Sequence, residues 1–403
     1  MDPIKYLPPE KWGIHNPGAI VNELITAKAS IMSLSATPKQ KRWTEEMQEM
    51  QLKMEVNGTS RIEGADFAGN ELDQALQESP EQLLTRSQRQ AHAAVSTYRW
   101  LATIPPDKPI DAALILEIHR RIVTGADDDH CPPGQLRKQD QNVTFGMPSH
   151  RGVSGGADCA KAMAELVNAI NGPLKTFDPL VRALMVHYYM AAMHPFLDGN
   201  GRTARALEAL MLRRSGLESD LFIAMSNYYY EEKNNYLSSL AFARANNGDL
   251  TEFLKFGLAG IALQTKRLSA LLTDNISREL YRGLLHELYP RLMSGRRRVL
   301  GERQIILAEY LLKNGKTEVG SILSALDIAY KGVNNPRKAL VRDIKNLRDM
   351  GALRLTQRVT PNKERVFEVE AVLDWPSKIT QSKFFEMVQQ LPKTKADSFL
   401  TGV

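Results

Sequence analysis

Apolar residues recur at helical spacing through about the first 290 positions, as in Leu114, Ile115, Ile118 and Ile122 or in Leu180, Leu184 and Met185. This spacing predicts a mainly α fold. Strand-like alternation is nearly missing there. The exception is the stretch 131–150, "CPPGQLRKQDQNVTFGMPSH", where Pro and Gly end a helix and Val143-Thr144-Phe145 precedes Gly146. A small β-hairpin or flap is expected in it. From Glu302 the pattern changes. One helix (Ile305, Ile306, Ala308, Leu311, Leu312) ends at Gly315, and a second covers about 321–326. A third carries Ala339, Leu340, Ile344, Leu347 and Met350 and ends at Gly351, and alternation in "ALRLTQRVTPNKERVFEVE" predicts two strands around a turn. Three helices followed by a hairpin predict a C-terminal winged helix-turn-helix domain. Beyond Trp375 one short amphipathic helix (Phe384, Phe385, Met387, Val388, Leu391) leads into a polar tail.

With 403 residues the chain is expected to form two or three domains. Its start, "MDPIKYLPPEKW", has no basic segment followed by an apolar run and so does not read as a secretory signal. The most apolar stretch, "LVRALMVHYYMAAM", is interrupted by Arg182 and His187 and is shorter than the roughly 20 residues of a spanning helix. Cys131 and Cys159 are the two cysteines, and neither belongs to a C-x-x-C pair. A soluble cytoplasmic protein without a membrane partner is the expectation. The net charge of +6 is uneven: residues 291–366 hold 17 Lys and Arg against 7 Asp and Glu, a local +10, which leaves the rest at about −4. An anionic partner of that region is one implication.

The densest chemistry is "HPFLDGNGRTAR", residues 194–205. Asp178-Pro179 opens a helix that should run to about Met193, Pro195 stops it, and a second helix begins near Asn200 and closes at Gly216. Gly199, Asn200 and Gly201 then form the turn, with backbone N–H groups aimed at whatever sits over the second helix as an anion cradle. Arg202 and Arg205, three apart, are placed to grip one polyphosphate. Asp198 suits a magnesium ion held against phosphates, and His194 is the one group in the set that exchanges a proton near neutral pH. Together these parts point to phosphoryl or nucleotidyl transfer. Taken singly, His194 could be a satisfied core histidine, the glycines a plain turn and the arginines solvated. No G-x-x-x-x-G-K-[ST] loop occurs.

The twelve residues resemble, without departure, the Fic-family signature H-P-F-x-[DE]-G-N-G-R-x-x-R. The resemblance implies a helical Fic core over 85–290 with a small β-hairpin flap, and transfer of AMP from ATP to a Ser, Thr or Tyr hydroxyl of a target protein. His194 would be the base that deprotonates the hydroxyl, and Asp198 would hold Mg2+. Asn200 with the amides of Gly199 and Gly201 would stabilise the α-phosphate, Arg202 would contact phosphates near the leaving group, and Arg205 the γ-phosphate.

"TSRIEG", residues 59–64, reads on its own as a capped turn: Thr59 or Ser60 caps a short helix, Gly64 ends it, and Glu63 is solvated or lies one turn from Thr59. Beside the Fic signature it resembles the inhibitory [ST]-x-x-x-E-[GN] helix within an N-terminal helical region, 1–84. Glu63 would then compete with the γ-phosphate for Arg205. Some members use this glutamate to align water and remove AMP, so self-modification and deAMPylation stay open. "PGQLR" followed by Val143, Thr144, Phe145, Gly146, Met147 and Pro148 is similar to the family's target-docking hairpin, against an ordinary loop. "NNYLSSLAFARANNGD" is similar to the region that lines the adenine pocket, which assigns Tyr236 and Asn246 there, against plain helix packing.

The winged-helix module is placed at 300–372 and the terminal helix and tail at 373–403, with a hinge at "SGRRRVLGER", 294–303. Lys331, Arg337, Lys338, Arg342, Lys345 and Arg348 around its third helix either touch DNA or form a solvated face. Two functions therefore compete: a self-inhibited AMP transferase, and a nucleotide-sensing DNA-binding transcriptional regulator. An oligomer is compatible with both.

Overall fold

The computed structural model describes every residue except 1–2, 68–69, 78, 216–221, 293–300, 361–362, 364 and 392–403. The expected hinge at 294–303 thus lies, apart from its last three residues, outside the described residues, as do Gly216 and the polar tail. The chain forms two compact units, Met1–Ala270 and Leu271–Val403.

The first unit begins with strand β1 (Ile4–Lys5), helix α1 (Pro17–Ala36) and helix α2 (Lys41–Ile62). The short α3 (Glu71–Gln77), α4 (Arg86–Thr103) and α5 (Ala112–Val123) follow, then a hairpin of β2 (Thr144–Phe145) and β3 (His150–Arg151). Next come α6 (Ala157–Asn171), α7 (Pro179–Met193), α8 (Asn200–Arg213), α9 (Met225–Glu231) and α10 (Lys233–Ala245). α11 (Thr251–Leu288) starts in this unit and runs into the second. Side chains set several helix starts. Asn16, Thr85, Asp111 and Asp178 each accept from a first-turn N–H, of Gly18, Gln88, Leu114 and Leu180 respectively, which satisfies donors that have no partner within the helix.

α7 is buried from Leu180 to Met193 with the sole exception of Arg182, so its apolar residues face neighbours on all sides, and α8 packs along it. α2 approaches α9 so closely that a Cβ on Gly58 would stand 2.4 Å from the carbonyl of Ser226. The expected hairpin is present as an antiparallel pair, Thr144 opposite Arg151 and Phe145 opposite His150. It gains an unexpected third strand: β1 pairs in parallel with β3, Ile4 opposite His150.

The second unit continues from α11 through α12 (Glu302–Asn314), β4 (Thr317–Glu318), α13 (Val319–Ala325), α14 (Asp327–Tyr330) and α15 (Pro336–Asp349). It ends in β5 (Leu353–Val359), β6 (Arg365–Ala371), α16 (Trp375–Lys378) and α17 (Gln381–Gln390). The sheet order is β4-β6-β5. The stripe expected on the third helix is buried, with Leu340, Ile344 and Leu347 packed among Leu307, Leu311 and Val369. Phe384 and Val388 of α17 belong to the same core. Among the described residues no helix is long and apolar enough to cross a membrane.

Candidate active site

α7 ends where the backbone of His194 turns left-handed (φ 49, ψ 59), a conformation few residues other than glycine adopt. The loop closes at Gly199 (φ +72), where a Cβ would lie 2.9 Å from Val123. Asn200 stitches this loop shut: its Oδ1 accepts from Phe196 N–H and its Nδ2 donates to Phe196 O, both at 2.9 Å. What Asn200 offers a ligand is therefore its backbone N–H in the first turn of α8, not its amide side chain.

The His194 imidazole donates from Nδ1 to the Ala191 carbonyl at 2.6 Å. That bond fixes the tautomer and leaves a lone pair on Nε2. The ring stacks on Phe145 of the flap, 3.7 Å between centroids and 11° between planes. Burial pushes its pKa down to about 4, against the opposing pull of the Ala191 carbonyl and Glu63, so the ring is neutral at pH 7. Arg137, wholly buried, donates to the carbonyls of His194 (2.9 Å) and Gln141 (2.6 Å) and anchors the loop from behind.

Arg202 and Arg205 have different carboxylate partners. Arg202 donates to Asp127 at 2.6 Å and lies 3.4 Å from Asp198. Asp127, with no exposure, also accepts from Arg86 Nε and Gln90 Nε2, each at 2.9 Å. Burial would raise its pKa, but Arg202 and Arg86 hold it below the usual carboxylate range. Arg205 instead donates to Glu63 at 2.5 Å and to the Thr59 hydroxyl at 2.9 Å. The side chain of Arg205 is 2% exposed and that of Glu63 34%. The Glu63 carboxylate sits on the first turn of α8, where a Cβ on Gly201 would come within 2.6 Å of it. The capped short helix expected at 59–64 is corrected as well. Thr59 and Ser60 are buried in the last turn of the 22-residue α2, Glu63 is its C-cap, and Gly64 (φ +91) ends it.

One atom each of Asp127, His130 and Asp198 lie within 4.8 Å of one another. Asp127 is spent on two guanidiniums, whereas Asp198 is a third exposed and meets His130 Nε2 at 3.0 Å. His130 is 42% exposed, and its two carboxylate neighbours, Asp198 first and then Asp129, raise its pKa. The donor set suits a magnesium ion that takes one carboxylate from the protein and most of its oxygens from phosphate and water.

The flap places Phe145 on His194, Gly146 (φ +76) at the bend, Met147 89% exposed and Pro148 after it. Val143 O accepts from Gly152 N–H at 3.1 Å. β1 takes the outer edge of β3, and the outer edge of Thr144-Phe145 in β2 pairs with no strand among the described residues. Tyr236 and Asn246 are not brought together. Tyr236 is buried, donating to His187 Nε2 at 2.9 Å and stacked on Tyr229, whereas Asn246 is exposed and donates to Phe242 O. The charge hub of Asp127, Arg86 and His130 was missed in the sequence, although the run Asp127-Asp128-Asp129-His130 marked it.

The Fic/DOC family model matches residues 109–212, which hold α5 to α8 and the hairpin. "Protein adenylyltransferase fic-1" of Caenorhabditis elegans is 34% identical over 144 residues, 35% of this chain and 25% of that protein. "Protein adenylyltransferase Fic" of Drosophila melanogaster is 31% identical over 145 residues, 35% and 26% of the two chains. The chain thus spans about a quarter of the length of these curated relatives. Among solved structures, a Fic family protein from Desulfovibrio desulfuricans G20 aligns over 90% of this chain and 98% of its own, with TM-score 0.55 and 19% identity. Fic-1 from C. elegans aligns over 64% of this chain and 75% of its own, with TM-score 0.53 and 23% identity. Residues 109–212, with the turn of His194, are therefore similar to the Fic/DOC family, and the mainly helical fold has Fic structural neighbours.

Proposed function

We propose that the chain is a self-inhibited protein adenylyltransferase, which moves AMP from ATP to a Ser, Thr or Tyr hydroxyl of a target protein. The observation that carries this reading is His194. Its Nδ1–H is tied to Ala191 O, so Nε2 holds its lone pair at the loop that leads into α8. Nε2 takes the proton of the target hydroxyl, the hydroxyl oxygen bonds to the α-phosphorus, and the bond from that phosphorus to the bridging oxygen breaks to release pyrophosphate. The amides of Asn200 and Gly201 face the charge that builds on the α-phosphate, while the Gly199 N–H donates to Asp198 Oδ1 at 2.6 Å. Asp198 would hold Mg2+, which neutralises phosphate charge when bound. The free edge of β2 receives the target chain by backbone pairing, so that specificity for side chains is low there.

Glu63 restrains the reaction by holding Arg205, the guanidinium that the γ-phosphate needs. Incubating the protein with ATP and Mg2+ and weighing it by mass spectrometry tests the activity. An adduct with the mass of an adenylyl group on the chain or on lysate proteins, lost in His194→Ala, supports transfer; its absence in all samples contradicts it.

The order helix, short strand, three helices (α14 a single turn) and hairpin over 302–371 supports a winged-helix reading of the second unit. Lys331, Arg337 and Lys338 are exposed at the start of α15 and just before it, a specific observation in favour of the second reading, a nucleotide-sensing regulator that binds DNA. Other cations of this unit are neutralised: Arg358 pairs with Glu318 and Glu368, and Lys316 with Glu368. A salt-dependent shift of duplex DNA, reduced in Arg337→Ala/Lys338→Ala, tests that role.

A further inference from the structure

Behind the flap, on the side of β3 away from β2, lies a cavity of about 340 Å³, in the size range of small-molecule sites. One wall is β1 and the segment after it, including Tyr6 and Leu7; another is His150 and Arg151 of β3; the floor is Tyr188 and Ala192 of α7, closed by Arg244 of α10. Its walls are largely apolar, but its polar groups are unusual in two respects.

The first concerns hydrogen bonds. His150 is 1% exposed, and neither of its ring nitrogens makes a hydrogen bond of normal geometry; the buried hydroxyl of Tyr6 and the Nε of Arg244 are likewise without partners. Buried polar groups are nearly always paired, so a cluster of orphans around one cavity marks a place where something binds. The second concerns charge. Lys5, Arg151 and Arg244 all line the cavity, and no carboxylate does among the described residues. Arg244 has no ion pair there; its guanidinium rests on the Phe145 ring at 5.2 Å. Water could satisfy His150 and Tyr6, but it would not balance the half-buried guanidinium, and an uncompensated charge away from water is costly.

We infer that this cavity is a binding site for a small organic anion, a carboxylate or phosphate monoester with an apolar body, whose charged end meets Arg244, His150 and Tyr6. Arg244 supplies the paired donors that suit a carboxylate or phosphate. Burial and the neighbouring Arg244 keep the His150 ring below its ordinary pKa, so at neutral pH it is uncharged and donates from one nitrogen. The Tyr6 hydroxyl donates beside it. The apolar body packs on Leu7, Tyr188 and Ala192. The site does not include the proposed phosphate cradle on α8, since none of Gly199, Gly201, Arg202 or Arg205 lines it, although Arg244, Asn247 and Gly248 of its wall belong to the stretch that is similar to the adenine-pocket region.

Calorimetric titration of the full chain with benzoate and with phenyl phosphate tests this, with benzamide as the uncharged probe and Arg205→Ala as a background in which the α8 cradle is weakened. Saturable binding of either anion is expected, retained in Arg205→Ala, absent with benzamide, and about tenfold weaker or more in Tyr6→Phe and in Arg244→Gln. Tyr6→Phe removes one oxygen and keeps the ring, so it reports even where Arg244→Gln does not fold. No saturable binding of either anion up to about 10 mM, or binding lost in Arg205→Ala and unchanged in Tyr6→Phe, overturns the inference.

Discussion

Glu63 and Arg205, 142 positions apart, meet at 2.5 Å over the first turn of α8, with the guanidinium buried and the carboxylate a third exposed. The contact depends on Gly201, since only a residue without a side chain leaves room for the Glu63 carboxylate. A Cβ there would press on both partners, 2.6 Å from Glu63 Oε1 and 3.1 Å from Arg205 Nη1. In Gly201→Ala the pair is expected to separate and the phosphate cradle to be partly filled. Adding Gly201→Ala to Glu63→Gly should therefore lower AMP transfer about tenfold or more relative to Glu63→Gly alone, as read by incorporation of labelled AMP. Undiminished labelling would show that the turn of α8 does not hold the α-phosphate.

Asp127 neutralises two arginines from a position without solvent access. Asp127→Asn keeps the shape but leaves Arg202 buried beside a neutral amide. The expected loss of stability is about 3 kcal/mol, measured by urea unfolding, with a smaller loss in Arg86→Gln because Arg86 is 55% exposed.

Phe145 covers His194 and contributes to the burial that holds the imidazole near 4. The neutral ring is the active form, so activity in the Glu63→Gly background falls only as pH drops through about 4 and stays level from about 5.5 to 8 as far as His194 is concerned. Phe145→Ala exposes the ring and moves its pKa back toward the ordinary histidine value of 6.5. The acidic limb of the rate profile should therefore shift upward in that variant; an unshifted limb would remove Phe145 from control of the base.

Glu55 on α2 is 1% exposed and accepts from Tyr98 OH at 2.7 Å and Ser226 N–H at 2.8 Å. Burial raises its pKa from 4.5 to about 7, against the opposing hydrogen bonds. The folded state thus binds this proton more tightly than the unfolded chain does, so the stability it contributes is complete below pH 4.5 and is lost as pH rises through 7. Glu55→Gln keeps the volume and removes the titration. Its stability relative to the unsubstituted protein should rise by about 3 kcal/mol between pH 4.5 and 8, read from chemical denaturation at each pH, and a constant difference would contradict the buried-acid assignment.

Much of the fold was legible because its signals are local. Asp178-Pro179 caps and opens α7, Gly199 closes the next turn, and the stripe from Ala339 to Met350 faces one core. The site was legible where its residues are neighbours, from His194 to Arg205. What escaped is held by distant contacts. Asp127 reaches Arg202 across 75 positions, and the two-residue β1 pairs with β3 far along the chain, which leaves no periodicity to read. The different placement of Tyr236 and Asn246 is also a matter of geometry: Tyr236 lies inside α10 on its buried side, whereas Asn246 is the C-cap past the last helical residue, where the backbone (φ −111, ψ 51) has left the helix. The split of Arg202 and Arg205 between two carboxylates was hidden for the same reason, since spacing shows which face a side chain leaves from and not which partner it finds.

In the proposed reaction His194 is the base for AMP transfer, and Glu63 restrains that transfer through Arg205. Incorporation of α-labelled AMP from ATP in the presence of Mg2+ tests it most directly, compared among the unsubstituted protein, Glu63→Gly and Glu63→Gly/His194→Ala. Labelling about tenfold or more higher in Glu63→Gly than in the unsubstituted protein, and abolished in the double variant, is the predicted result. Equal labelling of the unsubstituted protein and Glu63→Gly, or labelling that survives loss of His194, would contradict it.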